Sequence, residues 1–136
     1  MKVVDIMQTN VIVVRPDATV RDGIMLLEDW HIRHLPVVED GQLRGMISDR
    51  DLRDYRLPLL DEINKPDYAD EMLRRSIREV MADSAVSVDE QEDVREAIDT
   101  MLNFGVGAVP VLSGDRGRLV GIVSYVDILR IVRDSL

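Results

Sequence analysis

The chain has 136 residues, of which 46% are hydrophobic and 32% charged, a composition typical of a folded globular protein rather than a disordered one. Its formal net charge of −9 argues against nonspecific nucleic-acid binding, which needs a basic surface, although a local basic pocket remains compatible with it. There are no cysteines, which excludes disulfides and thiolate metal sites, and no apolar run approaches the roughly 18 residues of a membrane-spanning helix.

The first half of the chain is predicted to alternate strands with helices. An apolar run is followed by helix-start residues and then by Val20, Ile24 and Leu27 at helical spacing. Two further apolar runs around the turn 39–42 predict a β-hairpin. In chain order the predicted elements are a strand at 11–14, a helix at 17–27, strands at 35–38 and 43–47, and a helix through Ser48, Asp51, Leu52 and Tyr55.

The second half is predicted to repeat this order after a polar connector that becomes helical from Asp67 onward. Val94 and Met101 lie on the apolar face of one helix, and Gly105 is the residue expected to end it. The predicted elements are a strand at 86–88, a helix at 94–102, hairpin strands at 109–112 and 119–123 around the turn 113–117, and a helix from Ser124 to Val132.

Short motifs recur in the two halves in the same order. Met7 and Met81 are 74 positions apart, and so are Pro36 and Pro110. The motif glycines, Gly45 and Gly121, are 76 positions apart, and so are the motif aspartates, Asp51 and Asp127. The second copy therefore has two more residues in its hairpin turn. A twofold sequence repeat predicts two similar units with a functional cleft between them.

Three motifs relate this repeat to a known family. Each copy has a leading segment that ends in Met7 or Met81, a strand of the form h-P-h-h, and the sequence G-h-h-S-x-x-D before its last helix, where h is hydrophobic. Together with the element order, these motifs closely resemble a tandem pair of CBS domains, also called a Bateman module. The resemblance implies a mixed α/β (α+β) fold of two β-α-β-β-α repeats packed with pseudo-twofold symmetry. The repeats would span residues 1–57 and 76–136, with a connector at 58–75.

The Ser-x-x-Asp motif has two compatible interpretations. In the first, Ser48 and Ser124 are helix N-caps, and the aspartates three residues later complete capping boxes. In the second, which the resemblance supports, Asp51 and Asp127 accept hydrogen bonds from the vicinal hydroxyls of a ribose, and the serines supply donors.

Three side chains near these motifs are candidates for phosphate binding. Arg50 lies inside the first motif, where the resemblance implies contact with ligand phosphate, and a planar guanidinium suits that contact. The second copy has Val126 there, so we expect the two sites to differ. Arg33 and His34 precede the first Pro-containing strand, and the resemblance implies a phosphate contact for them too. The alternative for all three is ordinary solvent exposure.

Four apolar residues are candidates for the walls of an adenine pocket: Ile12 and Val86 in the first strand of each copy, and Met46 and Ile122 after the motif glycines. The alternative is that they are plain core residues. The resemblance also implies composite pockets, one with Ser48, Arg50, Asp51 and Val86, the other with Ser124, Asp127, Ile12, Arg33 and His34. We expect the first pocket to bind more tightly, because its arginine adjoins its ribose-binding aspartate.

No catalytic constellation is visible in the sequence, and the glycine-rich turn at 113–117 lacks the Lys-Ser/Thr of a phosphate loop. We therefore expect a regulatory sensor without enzymatic activity, metal or cofactor, which binds an adenine nucleotide such as AMP, ADP or ATP; S-adenosylmethionine and NAD stay open. The resemblance implies a homodimer that regulates an enzyme or transporter. The alternative is a ligand-free interaction module. We expect no nucleic-acid partner, no membrane insertion, no signal peptide and a cytoplasmic location.

Overall fold

The computed structural model describes residues 1–60, 64–81, 86–114 and 117–136. Strands and helices are mixed along the chain, which confirms the predicted α+β class. The helical elements are a 3₁₀ turn at Val3–Asp5, α1 (Val20–Asp29), α2 (Arg53–Leu60), α3 (Pro66–Leu73), α4 (Ile77–Val80), α5 (Val94–Phe104) and α6 (Tyr125–Ser135). The strands are β1 (His34–Glu39), β2 (Gln42–Ser48), β3 (Val88–Asp89), β4 (Ala108–Ser113) and β5 (Arg118–Ser124).

The chain divides into two compact units, and each unit takes residues from both halves of the sequence. The first-repeat unit comprises Ile12–Asp40 and Arg44–Ser84, and therefore contains β1, most of β2 and α1 to α4. The second-repeat unit comprises Met1–Val11, Gly41–Leu43 and Ala85–Leu136, and therefore contains the 3₁₀ turn, β3 to β5, α5 and α6. The segment that leads into each repeat thus folds with the opposite repeat.

Matching backbone hydrogen bonds hold these two segments, the leaders, which end in Met7 and Met81. Two amides of each leader donate to two carbonyls of the unit that it joins, at 2.8 to 3.0 Å: Val3 to Glu92, Val4 to Glu90, Ile77 to Ala18 and Arg78 to Pro16. Each donor and each acceptor has its counterpart 74 positions away, which is the spacing of the sequence repeat. Val3 and Ile77 are completely buried, so each leader also contributes to a hydrophobic core.

An aliphatic core fills the first-repeat unit. Helix α1 is capped by Thr19, because the side chains of Thr19 and Asp22 accept hydrogen bonds from each other's backbone amides, both at 3.1 Å. Ile24 of α1 is fully buried in this core. Ala69 and Leu73 of α3 are buried there as well, so the connector contributes directly to the packing of this unit. Its helix begins at Pro66, one residue before the predicted start.

The strand predicted at 11–14 is wrong, because only Val14 pairs with a neighbouring strand. It forms one parallel bridge with Val37, in which the Val14 amide donates to the Pro36 carbonyl at 3.0 Å and the Val38 amide donates to the Val14 carbonyl at 2.9 Å. Val13 is 41% exposed. An apolar run indicates burial but does not reveal whether a strand edge offers partners along its whole length.

The helix predicted from Ser48 also begins later, at Arg53. Residues 49–52 form turns instead, and the Asp49 amide donates to the Arg33 carbonyl at 2.8 Å. This turn brings the residue before β1 next to the end of β2.

The second-repeat unit is built on strands β3, β4 and β5, with β3 parallel and β5 antiparallel to β4. The register of β4 and β5 shifts after Val111, which pairs with Gly121. Helix α5 is capped by Asp93 and ends at Gly105, whose φ of 63° lies in the left-handed region that glycine tolerates, as predicted. Strand β3 shares only Val88 with the strand predicted at 86–88, so Val86 lies outside it and the predicted bounds are wrong. Residues 115 and 116 of the predicted hairpin turn lie outside the described residues.

Among the residues that the structure describes, no helix has both the length and the apolar character needed to cross a lipid bilayer.

Candidate functional site

Ser48 and Asp51 form a reciprocal pair of hydrogen bonds at the end of β2. The Ser48 amide donates to Asp51 Oδ2 at 2.8 Å, and the Asp51 amide donates to Ser48 Oγ at 3.2 Å. These bonds are those of a capping box, although regular helix follows only from Arg53. Asp51 is exposed, and its Oδ1 has no hydrogen-bond partner among the described residues. This oxygen is therefore available to an external donor.

Arg33 and His34 lie against the same turn, because the Arg33 carbonyl accepts the hydrogen bond from the Asp49 amide. Burial lowers the pKa of His34 below its ordinary value of 6.5, and the Arg33 charge lowers it further, while Asp51 and Asp49 raise it. His34 thus interacts electrostatically with both aspartates. Two motifs separated in the sequence, the residues before β1 and the turn after β2, meet in one place.

Arg56 of α2 links this turn to helix α1. Its guanidinium donates to Asp49 Oδ1 at 2.5 Å and to Glu28 Oε1 of α1 at 2.8 Å. Because the guanidinium is planar and carries several donors, it can hold both carboxylates at once. Arg50, by contrast, is exposed and forms no ion pair with any residue in the described ranges.

The second motif is arranged differently, because Asp127 is only 8% exposed and is surrounded by donors. Ser124 donates to Asp127 Oδ2 twice, from its amide at 2.8 Å and from its hydroxyl at 3.0 Å. The side-chain amide of Gln8 donates to Asp127 Oδ1 at 3.0 Å. All three residues belong to the second-repeat unit, since Gln8 follows the exchanged leader.

The two aspartates therefore differ in their remaining capacity for hydrogen bonds. An ionised carboxylate accepts about four, two on each oxygen. Within the described chain, Asp127 already accepts three and is buried, whereas Asp51 accepts one and is exposed. Only Asp51 has an oxygen with both acceptor positions available.

The four predicted apolar wall residues are all partly buried, but they are divided between the units. Ile12 and Met46 belong to the first-repeat unit, where Ile12 packs against the core, and Val86 and Ile122 belong to the second-repeat unit. Ile122 also pairs its backbone with Gln8. Arg33 and His34, which the resemblance assigns to the Asp127 pocket, lie against the Asp51 turn within the first-repeat unit. The composite pockets predicted from sequence otherwise combine residues of both units, and that combination stays a prediction.

Sequence reasoning missed Gln8, Asp49 and Arg56. Of these three, only Gln8 could have been noticed in the sequence. It directly follows Met7, whereas Ala82 directly follows Met81, so the two copies differ here by a polar side chain. Asp49 and Arg56 have no such signal, because charged residues near a helix start are common on any surface.

No metal centre is present in the part of the chain that the structure describes, since no three His, Asp or Glu side chains there converge. An exposed carboxylate oxygen in a turn that also contains the exposed Arg50 suits the recognition of a ligand that carries hydroxyl groups and negative charge.

Comparison with known proteins identifies the class to which this fold and these motifs belong. The family model of the CBS domain matches the chain twice, at residues 3–58 and 77–134. The chain therefore belongs to the CBS domain family and carries a tandem pair of CBS domains.

The relatives include both proteins of similar size and longer ones. The CBS domain-containing protein DDB_G0289609 of Dictyostelium discoideum is 33% identical over 126 residues, which cover 91% of this chain and 86% of the relative. The uncharacterized protein MJ1225 of Methanocaldococcus jannaschii is 28% identical over 134 residues, which cover 93% of this chain. The chain spans about half the length of MJ1225, 47% of it.

Two solved structures share the fold over nearly the whole chain. The CBS domain pair of protein MJ0100, in complex with 5-methylthioadenosine and S-adenosyl-L-methionine, is 25% identical with a TM-score of 0.81 and covers 100% of this chain and 98% of that one. CBSX2 in complex with AMP is 26% identical with a TM-score of 0.79 and covers 98% of this chain and 97% of that one.

Proposed function

We propose that this protein is a regulatory sensor that binds an adenine nucleotide, with AMP, ADP and ATP as the candidates, at the turn formed by Ser48 and Asp51. The observation that carries this proposal is the exposed Asp51 carboxylate, whose Oδ1 has no partner among the described residues, in a turn that contains Arg50 and whose Asp49 amide bonds to the Arg33 carbonyl. The proposal concerns binding and regulation rather than catalysis.

Asp51 is suited to bind the ribose. The vicinal hydroxyls of a ribose are paired donors, and a carboxylate accepts such a pair in many nucleotide sites. The Ser48 amide occupies Oδ2 and fixes the rotamer of Asp51, so Oδ1 is held in place before ligand arrives. Preorganisation of this kind lowers the entropy cost of binding.

The neighbouring cations are suited to bind phosphate. Arg50 and Arg33 are both exposed, and neither forms an ion pair with a residue that the structure describes. In a chain of net charge −9, a phosphate requires such a local excess of positive charge. His34 would add a positive charge only at low pH, because its pKa lies below the ordinary value.

The solved relatives support an adenosine compound as ligand. Those reported above bind AMP, 5-methylthioadenosine or S-adenosyl-L-methionine, and all three share the adenosine group. The arginines beside Asp51 favour a phosphate over the positively charged sulfonium of S-adenosylmethionine. On this argument AMP, ADP or ATP is preferred among the adenosine compounds, and NAD is the remaining dinucleotide to test.

Self-association is part of the same proposal, because a small sensor must pass its signal to another surface. Tyr125, Leu129 and Val132 are 44%, 58% and 47% exposed and lie at helical spacing on one face of α6, while Asp127 faces inward. Exposed apolar side chains in one row are typical of an interface. We propose that this face forms a homodimer, and that an enzyme or transporter is the regulated partner.

The same row of side chains favours a second candidate function, in which the chain is a docking module without a ligand. The two candidates differ in what the Asp51 turn does. A docking module leaves the dimer unaffected by nucleotide, whereas a sensor changes its association or stability when nucleotide binds. The cytoplasm, where free adenine nucleotides are concentrated, is the compartment in which such a sensor would work.

Isothermal titration calorimetry with AMP, ADP, ATP, adenosine, NAD and S-adenosylmethionine tests the proposal. Asp51→Asn should weaken nucleotide binding about ten- to hundredfold, since a hydrogen bond to a charged group contributes roughly 1.5–3 kcal/mol. Arg50→Ala should weaken ATP and AMP binding while adenosine binding is unchanged. Asp54→Asn, an exposed aspartate in α2, is the matched control.

Wild-type affinity in Asp51→Asn, or no binding of any of these compounds to the wild type, would overturn the sensor. For the dimer, Leu129→Glu should give a monomer in sedimentation velocity, with Met25→Glu in α1 as a control of similar chemistry. An unchanged sedimentation coefficient in Leu129→Glu would remove α6 from the interface.

A further inference from the structure

We infer that the side chain of Gln8 occupies the position on Asp127 that a ligand hydroxyl would take, and so keeps the second Ser-x-x-Asp motif closed to ligand. This makes Gln8 a residue that determines how many nucleotides the protein binds. The inference rests on the proposed function in one respect, namely that a ribose is recognised by the aspartate of this motif.

The geometry of Asp127 carries the first step. Its Oδ2 accepts from both the amide and the hydroxyl of Ser124, and its Oδ1 accepts from Gln8 Nε2 at 3.0 Å. One acceptor position remains on a side chain that is 8% exposed. A vicinal diol needs two acceptor positions, so it can bind to Asp127 only after the Gln8 side chain has moved away.

The anchoring of Gln8 carries the second step, because a loosely held amide would move aside at little cost. The backbone of Gln8 is paired in both directions with Ile122: its amide donates to the Ile122 carbonyl at 2.9 Å, and its carbonyl accepts from the Ile122 amide at 3.0 Å. Met7, directly before it, lies over Gly121, where an added Cβ would be 2.6 Å from Met7 Sδ. Gln8 is therefore presented to Asp127 by a fixed backbone.

The other copy of the motif supplies the contrast. The residue 74 positions after Gln8 is Ala82, which has no side-chain donor. Within the described residues Asp51 has an unpartnered Oδ1, whereas Asp127 does not. One repeat has a glutamine and a satisfied, buried aspartate, and the other has an alanine and an exposed, available one. The protein thus binds one nucleotide per chain, at Asp51, and its second site is held closed by its own glutamine.

The experiment counts AMP molecules bound per chain by calorimetry in the wild type, Gln8→Ala and Gln8→Ala/Asp127→Asn. We expect one site in the wild type, a second in Gln8→Ala with an affinity at least about tenfold above that of any second site in the wild type, and loss of that gain in the double variant. Gln91→Ala, a glutamine at the surface of the same unit, is the matched control and should bind as the wild type does.

A second ligand tests whether the additional site in Gln8→Ala recognises both ribose hydroxyls. The 2′-deoxy analogue of AMP has one of the two hydroxyls, so it should not occupy the site that Gln8→Ala opens. If Gln8→Ala fails to fold, as judged by circular dichroism, Gln8→Ser keeps a small polar side chain there and serves in its place. Equal stoichiometry and affinity in the wild type and the folded Gln8 variant overturn the inference. So do two AMP molecules already bound to the wild type, one of them lost in Asp127→Asn.

The inference and the proposed function fail in distinguishable ways. If Asp51→Asn leaves wild-type binding unchanged but Gln8→Ala gains an Asp127-dependent site, the Asp51 proposal is wrong and the Gln8 inference stands. If Asp51→Asn abolishes binding and Gln8→Ala gains nothing, the reverse holds. If neither the wild type nor Gln8→Ala binds AMP, ADP or ATP, both are overturned.

Discussion

Gly121→Ala should destabilise the protein by about 1–3 kcal/mol, the usual cost of an added methyl group in a close-packed place. Gly121 lies on β5, where an added Cβ would be 2.6 Å from Met7 Sδ, 2.9 Å from Met7 Cγ and 3.0 Å from the Gln8 carbonyl oxygen. The Met7 side chain can rotate away. The Gln8 carbonyl cannot, because it accepts the hydrogen bond from the Ile122 amide.

Urea unfolding followed by circular dichroism measures this free energy. Gly23→Ala is the informative comparison, because its Cβ would meet only the ends of two side chains, Ile77 Cδ1 at 3.0 Å and Leu52 Cδ1 at 3.3 Å, and alanine is the better helix former in α1. It should therefore cost less than Gly121→Ala. If the free energy of unfolding of Gly121→Ala lies within about 0.5 kcal/mol of the wild-type value, the close packing of the first leader on β5 is wrong.

Three further predictions follow from the first-repeat unit. Ile77→Ala should lower the free energy of unfolding by about 2–5 kcal/mol, because this fully buried leader residue belongs to that core; a cost below about 1 kcal/mol in urea would contradict its placement. Burial lowers the pKa of His34, so the unfolded chain binds the proton more readily, and this residue's contribution to stability is present above about pH 6.5 and lost as the pH falls below it. The stability difference between the wild type and His34→Gln should accordingly change between about pH 8 and pH 5, and a constant difference would refute the assignment. Arg56→Ala should weaken AMP binding about two- to fivefold by loosening the Asp49 turn, and calorimetry giving an unchanged affinity would show that Arg56 does not position the site.

Much of the fold can be predicted from the sequence because the signals are local. The hairpins are marked by apolar runs around turn residues, and α5 by an apolar stripe that ends at Gly105. The capping bonds of Ser48 and Asp51 follow from their spacing of three residues. Each of these features depends on residues that are close together in the chain.

The features that sequence reasoning missed depend on distant residues. The bond between Gln8 and Asp127 joins positions 119 apart, and it exists because the first leader folds with the second repeat. The Asp49 amide pairs with the distant Arg33 carbonyl, and of the strand predicted at 11–14 only Val14 pairs with β1. Periodicity carries no information on such long-range partners.

The exchanged leaders bear on how the duplicated chain could have arisen. In a single copy of the repeat, the core position that the other copy's leader fills would be empty. Its own leader would have no unit to join, so Val3 or Ile77 would be exposed. Two separate copies could satisfy both needs by trading leaders, as in a domain-swapped dimer. Gene fusion would then have joined polypeptides that already depended on each other, and cutting the modern chain at its midpoint would return the pair to that ancestral, intermolecular form.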